Sequence, residues 1–267
     1  MTRTGQHQRC ISAIHWLEAS GALTLGAMLV TAVIGTAAAQ AQTYTVLHSF
    51  KGSPTDGSGP ESGLIGDSAG NLYGTTLGGG ASDAGVVFKL DRTGTETVLY
   101  SFTGRADGAK PLAGLIRDSA GNLYGTASAG GVSEYTGVVF KLDTAGTETV
   151  LDTFTGGADG GDPEAGLIRD SAGDLYGTTS GGGVSHEGVV FKLDATGETV
   201  LYSFTGGADG SQPVGGLLRD SAGNLYGTTP YGGASGNGVV FKLDTTGTET
   251  VLHSFTGGAD GATRSQV

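Results

Sequence analysis

Short apolar runs, separated by turns rich in glycine and aspartate, fill the chain from residue 44 onward. The run G-V-V-F-K-L occurs four times, at residues 85–90, 137–142, 188–193 and 238–243. Its β-branched and aromatic residues favour strands. Three successive apolar residues, such as Val138, Val139 and Phe140, indicate strands that are covered on both faces. No segment has a sustained 3.6-residue apolar period, so the pattern predicts an all-β protein.

These runs belong to a repeat of about fifty residues. The step Leu-Tyr-Gly begins at Leu72, Leu123, Leu175 and Leu225. A period of this length is typical of propeller blades. The repeat at 114–154 predicts strands at 114–117, 123–126, 137–142 and 149–154. Four antiparallel strands in one period fit a blade better than the shorter coil of a β-helix. We therefore predict a β-propeller-like array of four four-stranded blades, at 63–102, 114–154, 166–204 and 216–255.

One strand is surplus to this count. The fourth-strand motif occurs five times, whereas the other three strands occur four times each. The extra copy lies at residues 45–50, ahead of the first complete blade. Either the chain is a truncated relative of a longer propeller, or four blades close and the extra strand docks elsewhere. An unpaired apolar strand is prone to association, which predicts weak self-association through this strand.

The N-terminus has the form of a targeting segment. Arg3 and Arg9 precede a charge-free run at 22–39, and Ala39-Gln40-Ala41 has the small-x-small form of a cleavage site. These features predict a signal peptide at 1–41; the alternative is an uncleaved membrane anchor. Cleavage implies a secreted protein, extracellular or periplasmic, with no membrane association. The remaining chain then consists of the surplus strand and its connecting loop at 42–62, the four-repeat propeller at 63–261 and a short tail at 262–267.

Composition narrows the range of partners. Removal of residues 1–41 takes away the only Cys and the only Trp, Cys10 and Trp16, and leaves 12 basic and 25 acidic residues, a net charge of −13. An acidic surface repels phosphate backbones, so no nucleic-acid partner is expected. Without Cys there is no disulfide, thiolate metal ligand or thiol nucleophile. The chain is also glycine-rich, with 52 Gly.

Two motifs carry a resemblance to known families. The units G-L-I-R-D-S-A-G-N-L-Y-G-T-T and G-V-V-F-K-L-D are similar to the Gloeo/Verruco ("GloVer") tandem repeat of bacterial exported proteins, over about residues 44–261. The shorter string D-S-A-G-N-L-Y, at 67–73, 118–124 and 220–226, is also similar to NHL and SMP-30-type propeller blades. The first resemblance implies a secreted or surface-displayed repeat protein with no established enzyme activity.

The recurrent aspartates are predicted to be structural. The aspartates before Ser-Ala-Gly and those after G-V-V-F-K-L are expected to cap turns. The G-A-D-G strings suggest calcium as an alternative, but only residues 159–164 approach the oxygen set that this ion needs. The recurrent Lys two residues before the second Asp is expected to pack its stem on the blade. The sequence therefore predicts no metal, no cofactor and no catalytic residue.

The histidines are relevant to the question of whether the protein is an enzyme. His48 and His253 share a repeat position with Tyr100, Asp152 and Tyr202, and this tolerance predicts a solvent-facing site. His186 beside Glu187 is a weak acid–base signal. A propeller enzyme of the lactonase or glycan lyase/hydrolase type is the alternative. It would use first-strand residues around a central channel, which are Gly66, Arg117, Arg169 and Arg219. A structural spacer is a third possibility.

Two loops vary between repeats while the other turns do not. One follows the second strand and the other joins successive blades, and both are expected on the same face. Variable loops on a constant scaffold are typical of binding surfaces. The side chains there that could specify a ligand are Arg105, Lys110, Glu134, Tyr135, His186, Glu187, Tyr231 and Asn237. The prediction is a non-catalytic module that binds a glycan, a cell-wall polymer or a protein.

Overall fold

A computed structural model describes residues 44–133 and 136–261 of the protein. The account below concerns the unit Thr45–Val267. The predicted signal peptide and the tail at 262–267 lie outside the described residues, as do Glu134 and Tyr135. Eighteen strands are present in the described part of the chain, with no helix. It therefore contains no apolar helix of membrane-spanning length.

Sixteen of the strands form four antiparallel four-stranded sheets, each in sequence order. Blade 1 contains β2 (Ile65–Gly66), β3 (Leu72–Thr76), β5 (Val86–Leu90) and β6 (Glu96–Ser101). Blade 2 contains β7 (Ile116–Arg117), β8 (Leu123–Ala127), β9 (Val138–Leu142) and β10 (Glu148–Thr153). Blade 3 contains β11 (Ile168–Arg169), β12 (Leu175–Thr179), β13 (Val189–Asp194) and β14 (Gly197–Ser203). Blade 4 contains β15 (Leu218–Arg219), β16 (Leu225–Thr229), β17 (Val239–Leu243) and β18 (Glu249–Ser254). The predicted propeller-like array of four blades is confirmed.

The register is the same from blade to blade. In blade 2, Gly125 lies opposite Phe140, and Phe140 lies opposite Val150. The glycine is required because a Cβ at position 125 would lie 2.7 Å from Cζ of Phe140, closer than carbon atoms approach. The recurrent Leu-Tyr-Gly step thus leaves room for the aromatic ring of the next strand.

Apolar cores lie between successive blades. Val87 and Phe102 of blade 1 pack with Leu115, Val138 and Phe140 of blade 2 in one buried cluster. Equivalent clusters join blade 2 to blade 3 and blade 3 to blade 4. The third strands of blades 2 and 3 are covered by a neighbouring blade on both sides, as the consecutive Val-Val-Phe residues predict.

Buried hydrogen bonds cross the same junctions. Thr75 Oγ1 donates to the carbonyl of Ala113 at 2.9 Å, and Thr126 Oγ1 donates to that of Ala165 at 3.0 Å. Both threonines are 1% exposed. A buried hydroxyl needs such a partner, so the threonine that follows Leu-Tyr-Gly ties blades 1 and 2 to the loop that begins the next blade.

The prediction of a strand at residues 45–50 is wrong. This segment has no ladder partner among the described residues. Phe50 instead lies edge-to-face on Phe88 of blade 1, with ring centroids 5.0 Å apart. The segment therefore covers blade 1 in the manner of a preceding blade's fourth strand, and the described residues contain no sheet that pairs with it.

Closure of four blades by direct packing of blade 4 on blade 1 is not observed. The described apolar clusters join successive blades, or join Phe50 to blade 1, and none combines residues of blade 4 with residues of blade 1. Leu218 and Leu252 of blade 4 are 73% and 53% exposed. One face of blade 4 is thus left uncovered.

Candidate functional site

The two variable loops of each repeat lie together and pair through their backbones. In blade 1, β1 (Gly57–Ser58) pairs with β4 (Gly78–Gly79). Blade 2 pairs Ala109 with Ala129, and the Ala109 amide donates to the Ala129 carbonyl at 2.7 Å. Blades 3 and 4 repeat the pairing at Gly161 with Gly181 and at Ser211 with Tyr231. We call the surface made by these four paired loops the loop face.

Hydrogen bonds also link the loop face from one blade to the next. The Lys110 amide donates to the Ala84 carbonyl at 2.9 Å, and the Gln212 amide donates to the Glu187 carbonyl at 2.8 Å. The variable side chains are therefore carried on backbone that is fixed within each blade and between blades.

Five non-glycine residues with left-handed backbone all lie on this face. They are Asp83, Lys110, Asp162, His186 and Gln212, with φ between 54° and 60°. Non-glycine residues seldom adopt this conformation, and Lys and Gln have no local side-chain bond that favours it as Asp does. Such residues concentrate at functional sites in proteins. The left-handed backbone recurs at equivalent positions of the repeat, at Lys110, Asp162 and Gln212 in the loops between blades and at Asp83 and His186 in the loops after the second strand.

The predicted ligand-specifying residues are distributed over several blades. Arg105 and Lys110 are exposed in the loop between blades 1 and 2, and His186 is exposed in blade 3 beside half-buried Glu187. Tyr231 is 47% exposed in blade 4. Glu134 and Tyr135 lie outside the described residues.

Tyr231 and Asn237 lie in one loop of blade 4, next to a groove. Backbone pairing of Gly232 with Asn237 closes this loop. The groove has a volume of about 400 Å³ and is lined by Val214, Gly215, Thr228, Thr229, Pro230, Asn237, Phe255 and Gly261. Its lining is mainly apolar, with polar groups at Asn237 and Thr228. The groove thus lies where the loop face meets the uncovered face of blade 4, and its Thr228 and Phe255 belong to the latter.

The opposite face, which we call the turn face, is built from the invariant turns after the first and third strands of each blade. Asp118 accepts hydrogen bonds from the Asn122 amide at 2.9 Å, the Asn122 side chain at 2.8 Å and the Tyr124 hydroxyl at 3.0 Å. Burial works to raise the pKa of Asp118, but these hydrogen bonds outweigh it and lower the pKa below its usual value. The turn-capping prediction is confirmed here. Equivalent side-chain caps occur at the aspartates of the second turn, as at Asp143, which accepts from the Thr147 amide at 2.8 Å.

The first-strand arginines hold adjacent blades together. The guanidinium of Arg169 lies 5.7 Å from the centre of the Tyr124 ring, and that of Arg219 lies 5.5 Å from the Tyr176 ring. Arg219 also lies 3.8 Å from the Asp170 carboxylate. These cation–π contacts make the arginines parts of the blade junctions, which does not favour the anion-holding role that the enzyme alternative would give them.

The recurrent lysine behaves differently in one repeat. Lys192 Nζ lies 2.7 Å from Asp174 and 3.1 Å from Asp194, and hydrogen bonds to the two carboxylates raise the pKa of Lys192. Only blade 3 has Asp rather than Asn at the first of these positions. Asp174 and Asp194, both half-buried, line a cleft of about 580 Å³ between blades 2 and 3 on the turn face.

The prediction that the His48 position faces solvent holds at His253, whose side chain is 50% exposed, and is wrong at the other four copies. Tyr100, Asp152 and Tyr202 are half-buried there, and the His48 side chain is 18% exposed. In blade 1 the Tyr100 hydroxyl donates to Asp107 at 3.0 Å. The aspartate of G-A-D-G thus accepts from the preceding strand and from a threonine, as Asp107 does from the Thr103 amide at 2.7 Å. His, Tyr and Asp can therefore occupy one repeat position that is half-buried between blades, because each lies next to the aspartate of the loop that follows.

His48, Asp56 and Glu96 form the one described group that could hold a divalent cation. Their ligand atoms all lie within 4.8 Å of one another, and His48 Nε2 lies 3.3 Å from Asp56 Oδ2. Burial and the nearby Asp56 charge raise the pKa of Glu96. Burial opposes ionisation of Asp56, yet bonds from Lys51, Gly57 and His48 keep its pKa below the usual value. An imidazole with two carboxylates suits zinc.

A half-buried glutamate like Glu96 is also present at each described junction between blades, where no histidine lies beside it. Oε1 is buried with no hydrogen-bond partner among the described residues in each of Glu96, Glu148, Glu198 and Glu249. The unpaired oxygen therefore belongs to the repeat and not to a cation site in blade 1. The sequence did not predict that His48, Asp56 and Glu96 meet, because residues 45–50 were interpreted only as a strand without a neighbour. The recurrent Glu of the T-E-T-V motif was the available signal.

The repeat matches a known family of repeat sequences. The model of the Gloeobacter/Verrucomicrobia repeat matches residues 32–169 and 93–267, which together include every blade. The chain belongs to the Gloeobacter/Verrucomicrobia repeat family. No curated protein matches this Gloeobacter/Verrucomicrobia repeat chain.

Solved structures that resemble this repeat protein include two enzymes and an extracellular domain. A gluconolactonase from Xanthomonas campestris is 17% identical, with a TM-score of 0.47, over 72% of this chain and 61% of that one. A luciferin-regenerating enzyme is 16% identical, with a TM-score of 0.46, over 72% and 60%. The extracellular domain of a one-component system from B. thetaiotaomicron is 9% identical, with a TM-score of 0.47, over 80% and 24%. The chain thus spans about three fifths of the first two structures.

Proposed function

We propose that the protein is an exported, non-catalytic module that binds an extracellular glycan or cell-wall polymer through the loop face. The observation that carries the proposal is the set of five left-handed, non-glycine residues, all of which lie in the paired variable loops. Backbone held in a rare conformation fixes the direction of the side chains it carries. A preorganised surface of this kind loses less freedom when a ligand binds.

The side chains available on this face suit a neutral or weakly charged polymer. Tyr231 presents an aromatic ring that is 47% exposed, and Asn237 lines the adjacent groove. Arg105 and Lys110 add exposed donors in another blade. The net charge of −12 for the full chain disfavours strongly anionic ligands. The site is thus expected to combine stacking with hydrogen bonding.

Export is part of the proposal. The basic residues Arg3 and Arg9, the charge-free run at 22–39 and the Ala-Gln-Ala step support a cleaved signal peptide. N-terminal sequencing of secreted protein that begins near Gln42 would support export. Retention of Met1 in cytoplasmic protein would contradict it.

The binding proposal is tested with an array of bacterial and plant glycans, with purified cell-wall sacculi and with a surface-protein fraction. We expect retention on a glycan or on sacculi. Tyr231→Ala and Lys110→Ala should reduce that retention, and Arg92→Ala, a cation on the turn face, should not. Tyr231→Phe should retain most of the binding, because the ring is kept. Retention on surface protein alone would contradict the glycan assignment, and hydrolase or lactonase turnover would contradict the non-catalytic one.

A further inference from the structure

The uncovered face of blade 4 is equivalent to surfaces that are buried in the other three blades. Val87, Val139 and Val190 are 0% exposed, whereas Val240 at the same position is half-buried. The phenylalanines that directly follow the fourth strands of blades 1–3 are also 0% exposed, whereas Phe255 is half-buried. Together with exposed Leu218 and Leu252, these residues form what we call the blade 4 face.

The complementary surface on blade 1 is only partly covered. At the other junctions the first-strand leucine of the following blade is 3% exposed, but Leu64 of blade 1 is 48% exposed. Val86, Phe88 and Leu90 are buried beneath the segment that contains Phe50. The outer part of this surface, which we call the blade 1 face, is therefore occupied by residues 45–50, and its inner part is open.

The segment that covers blade 1 repeats the end of blade 4 residue for residue. Residues 45–50 and residues 250–255 both read T-V-L-H-S-F, and the three interior copies of this strand differ. The two copies also have the same local geometry. His48 meets Phe50 and His253 meets Phe255 edge-to-face, with centroids 4.8 Å apart in both.

The hydrogen bonds that follow this strand are duplicated as well. His48 Nε2 lies 3.3 Å from Asp56, and His253 Nε2 lies 3.5 Å from Asp260. The Lys51 amide, which follows Phe50, donates to Asp56 at 2.8 Å, and the Thr256 amide, which follows Phe255, donates to Asp260 at 2.9 Å. The covering segment and the end of blade 4 thus share a six-residue sequence and the same His–Phe and His–Asp contacts, although only residues 250–254 are part of a strand.

We propose that the blade 4 face of one copy docks on the blade 1 face of a second copy, where residues 250–255 replace residues 45–50. Phe255 then takes the position of Phe50 on the second copy's Phe88. His253 and Asp260 take the positions of His48 and Asp56 beside Glu96. The exchange substitutes identical side chains, so the contacts of the displaced segment are replaced by equivalent ones.

The additional contacts favour the docked state. Leu218, Val240 and Leu252 become covered by the second copy, as their equivalents are covered within the chain, and Leu64 becomes covered in return. Burial of apolar surface is the main source of association free energy. Thr228, exposed in this structure, gains an acceptor in the Ser62 carbonyl, which occupies the position that Ala113 and Ala165 hold at interior junctions.

Residues 45–50 therefore compete with self-association. The covering segment is intramolecular and is always present at high local concentration, so it keeps docking weak until the concentration of the protein rises. Weakening the segment should strengthen association. A head-to-tail contact of this kind makes rings if its rotation closes and open chains if it does not.

The test uses the full protein and measures molar mass by sedimentation velocity over a range of concentrations. We expect the wild-type mass to rise with concentration. Phe50→Ala should lower the concentration at which it rises, by about tenfold, a change equivalent to about 1.4 kcal/mol. Val184→Glu is the control, because Val184 is 82% exposed on the loop face and lies on neither docking surface. Circular dichroism identifies any variant that has failed to fold.

Two further variants separate the possible contacts. Leu218→Glu blocks the blade 4 face, and Leu64→Glu blocks the blade 1 face. Each alone should abolish growth beyond a monomer, and an equimolar mixture should form a one-to-one dimer through the single intact pair of faces. If Leu64→Glu associates like the wild type while Leu218→Glu does not, blade 4 pairs with blade 4 and the proposal is wrong. A strict monomer for both wild type and Phe50→Ala would also overturn it.

Discussion

The ring of Phe102 lies edge-to-face on the ring of Phe140, with centroids 5.1 Å apart and planes at 71°. Phe102 directly follows the fourth strand of one blade, and Phe140 is central in the third strand of the next. The same contact joins Phe154 to Phe191 at 5.1 Å and Phe204 to Phe241 at 5.2 Å. One aromatic pair per junction therefore fixes how successive blades stack.

Truncation of this pair should be costly. Phe140→Ala is expected to lower the free energy of unfolding by about 3–5 kcal/mol, because it removes a fully buried ring and leaves a cavity. Tyr231→Ala, on the loop face, should change it by less than about 0.5 kcal/mol. Denaturant titration of both variants measures the difference. Equal losses for the two would contradict the assignment of blades and loops.

The glycine opposite Phe140 should not tolerate a methyl group. Gly125→Ala places Cβ 2.7 Å from Phe140 Cζ and 2.9 Å from Leu115 Cδ2, and overpacking of this kind costs about 1–3 kcal/mol. Gly63→Ala is the matched control, since a Cβ there has no atom within 4 Å. Thermal melting should show a clear loss for the first variant only. A melting temperature unchanged by Gly125→Ala would place the ring elsewhere.

The buried threonine bond across each junction should contribute measurably. Thr126→Val keeps the shape of the side chain but leaves the Ala165 carbonyl without its donor, which should cost about 1–3 kcal/mol. Thr228→Val, at the equivalent but exposed position of blade 4, should cost little. Chemical denaturation compares the two variants. Equal effects would mean that the bond at Thr126 is not made in solution.

The buried glutamates give stability a defined dependence on pH. Burial, followed by the charge of Asp107, raises the pKa of Glu148 to about 7. A carboxyl group whose pKa is higher in the folded state stabilises the fold fully below its unfolded pKa, and that contribution is lost as the pH rises to about 7. Glu148→Gln should therefore gain stability relative to the wild type between pH 5 and pH 8.

The control for this prediction is Glu61→Gln, at an exposed position. Its stability relative to the wild type should not change over the same pH range. Unfolding free energies at pH 5, 6, 7 and 8 provide the comparison. A constant difference between Glu148→Gln and the wild type would show that Glu148 titrates alike in the folded and unfolded states.

Much of the fold could be predicted because the same pattern of strands and turns occurs in all four repeats. The run at 137–142 predicted β9 (Val138–Leu142), and the Asp-Ser-Ala-Gly turns behave as expected. Residues 45–50 were mispredicted because their sequence is that of a strand, whereas strand formation also requires a neighbour with free backbone groups. Local pattern contains no information about that neighbour.

The site was less accessible to sequence reasoning. Variation between repeats indicated the loop face correctly as a place where two loops meet, and the backbone pairing of Ser211 with Tyr231 shows this contact. The left-handed conformation of Lys110 and Gln212 could not be predicted, since neither residue type favours it. The junction role of the His48 position was missed because residues more than forty apart in the chain, such as His48 and Glu96, meet only in the folded protein.

Hydrogen–deuterium exchange with and without the glycan that binds most tightly in the array tests the central claim most directly. If the loop face is the binding surface, exchange should slow in the paired loops, at 105–111, 180–188, 207–215 and 230–237. The capped turns at 67–71, 118–122 and 220–224 should exchange at an unchanged rate. Protection confined to those turns, or no protection at any loop, would contradict the account.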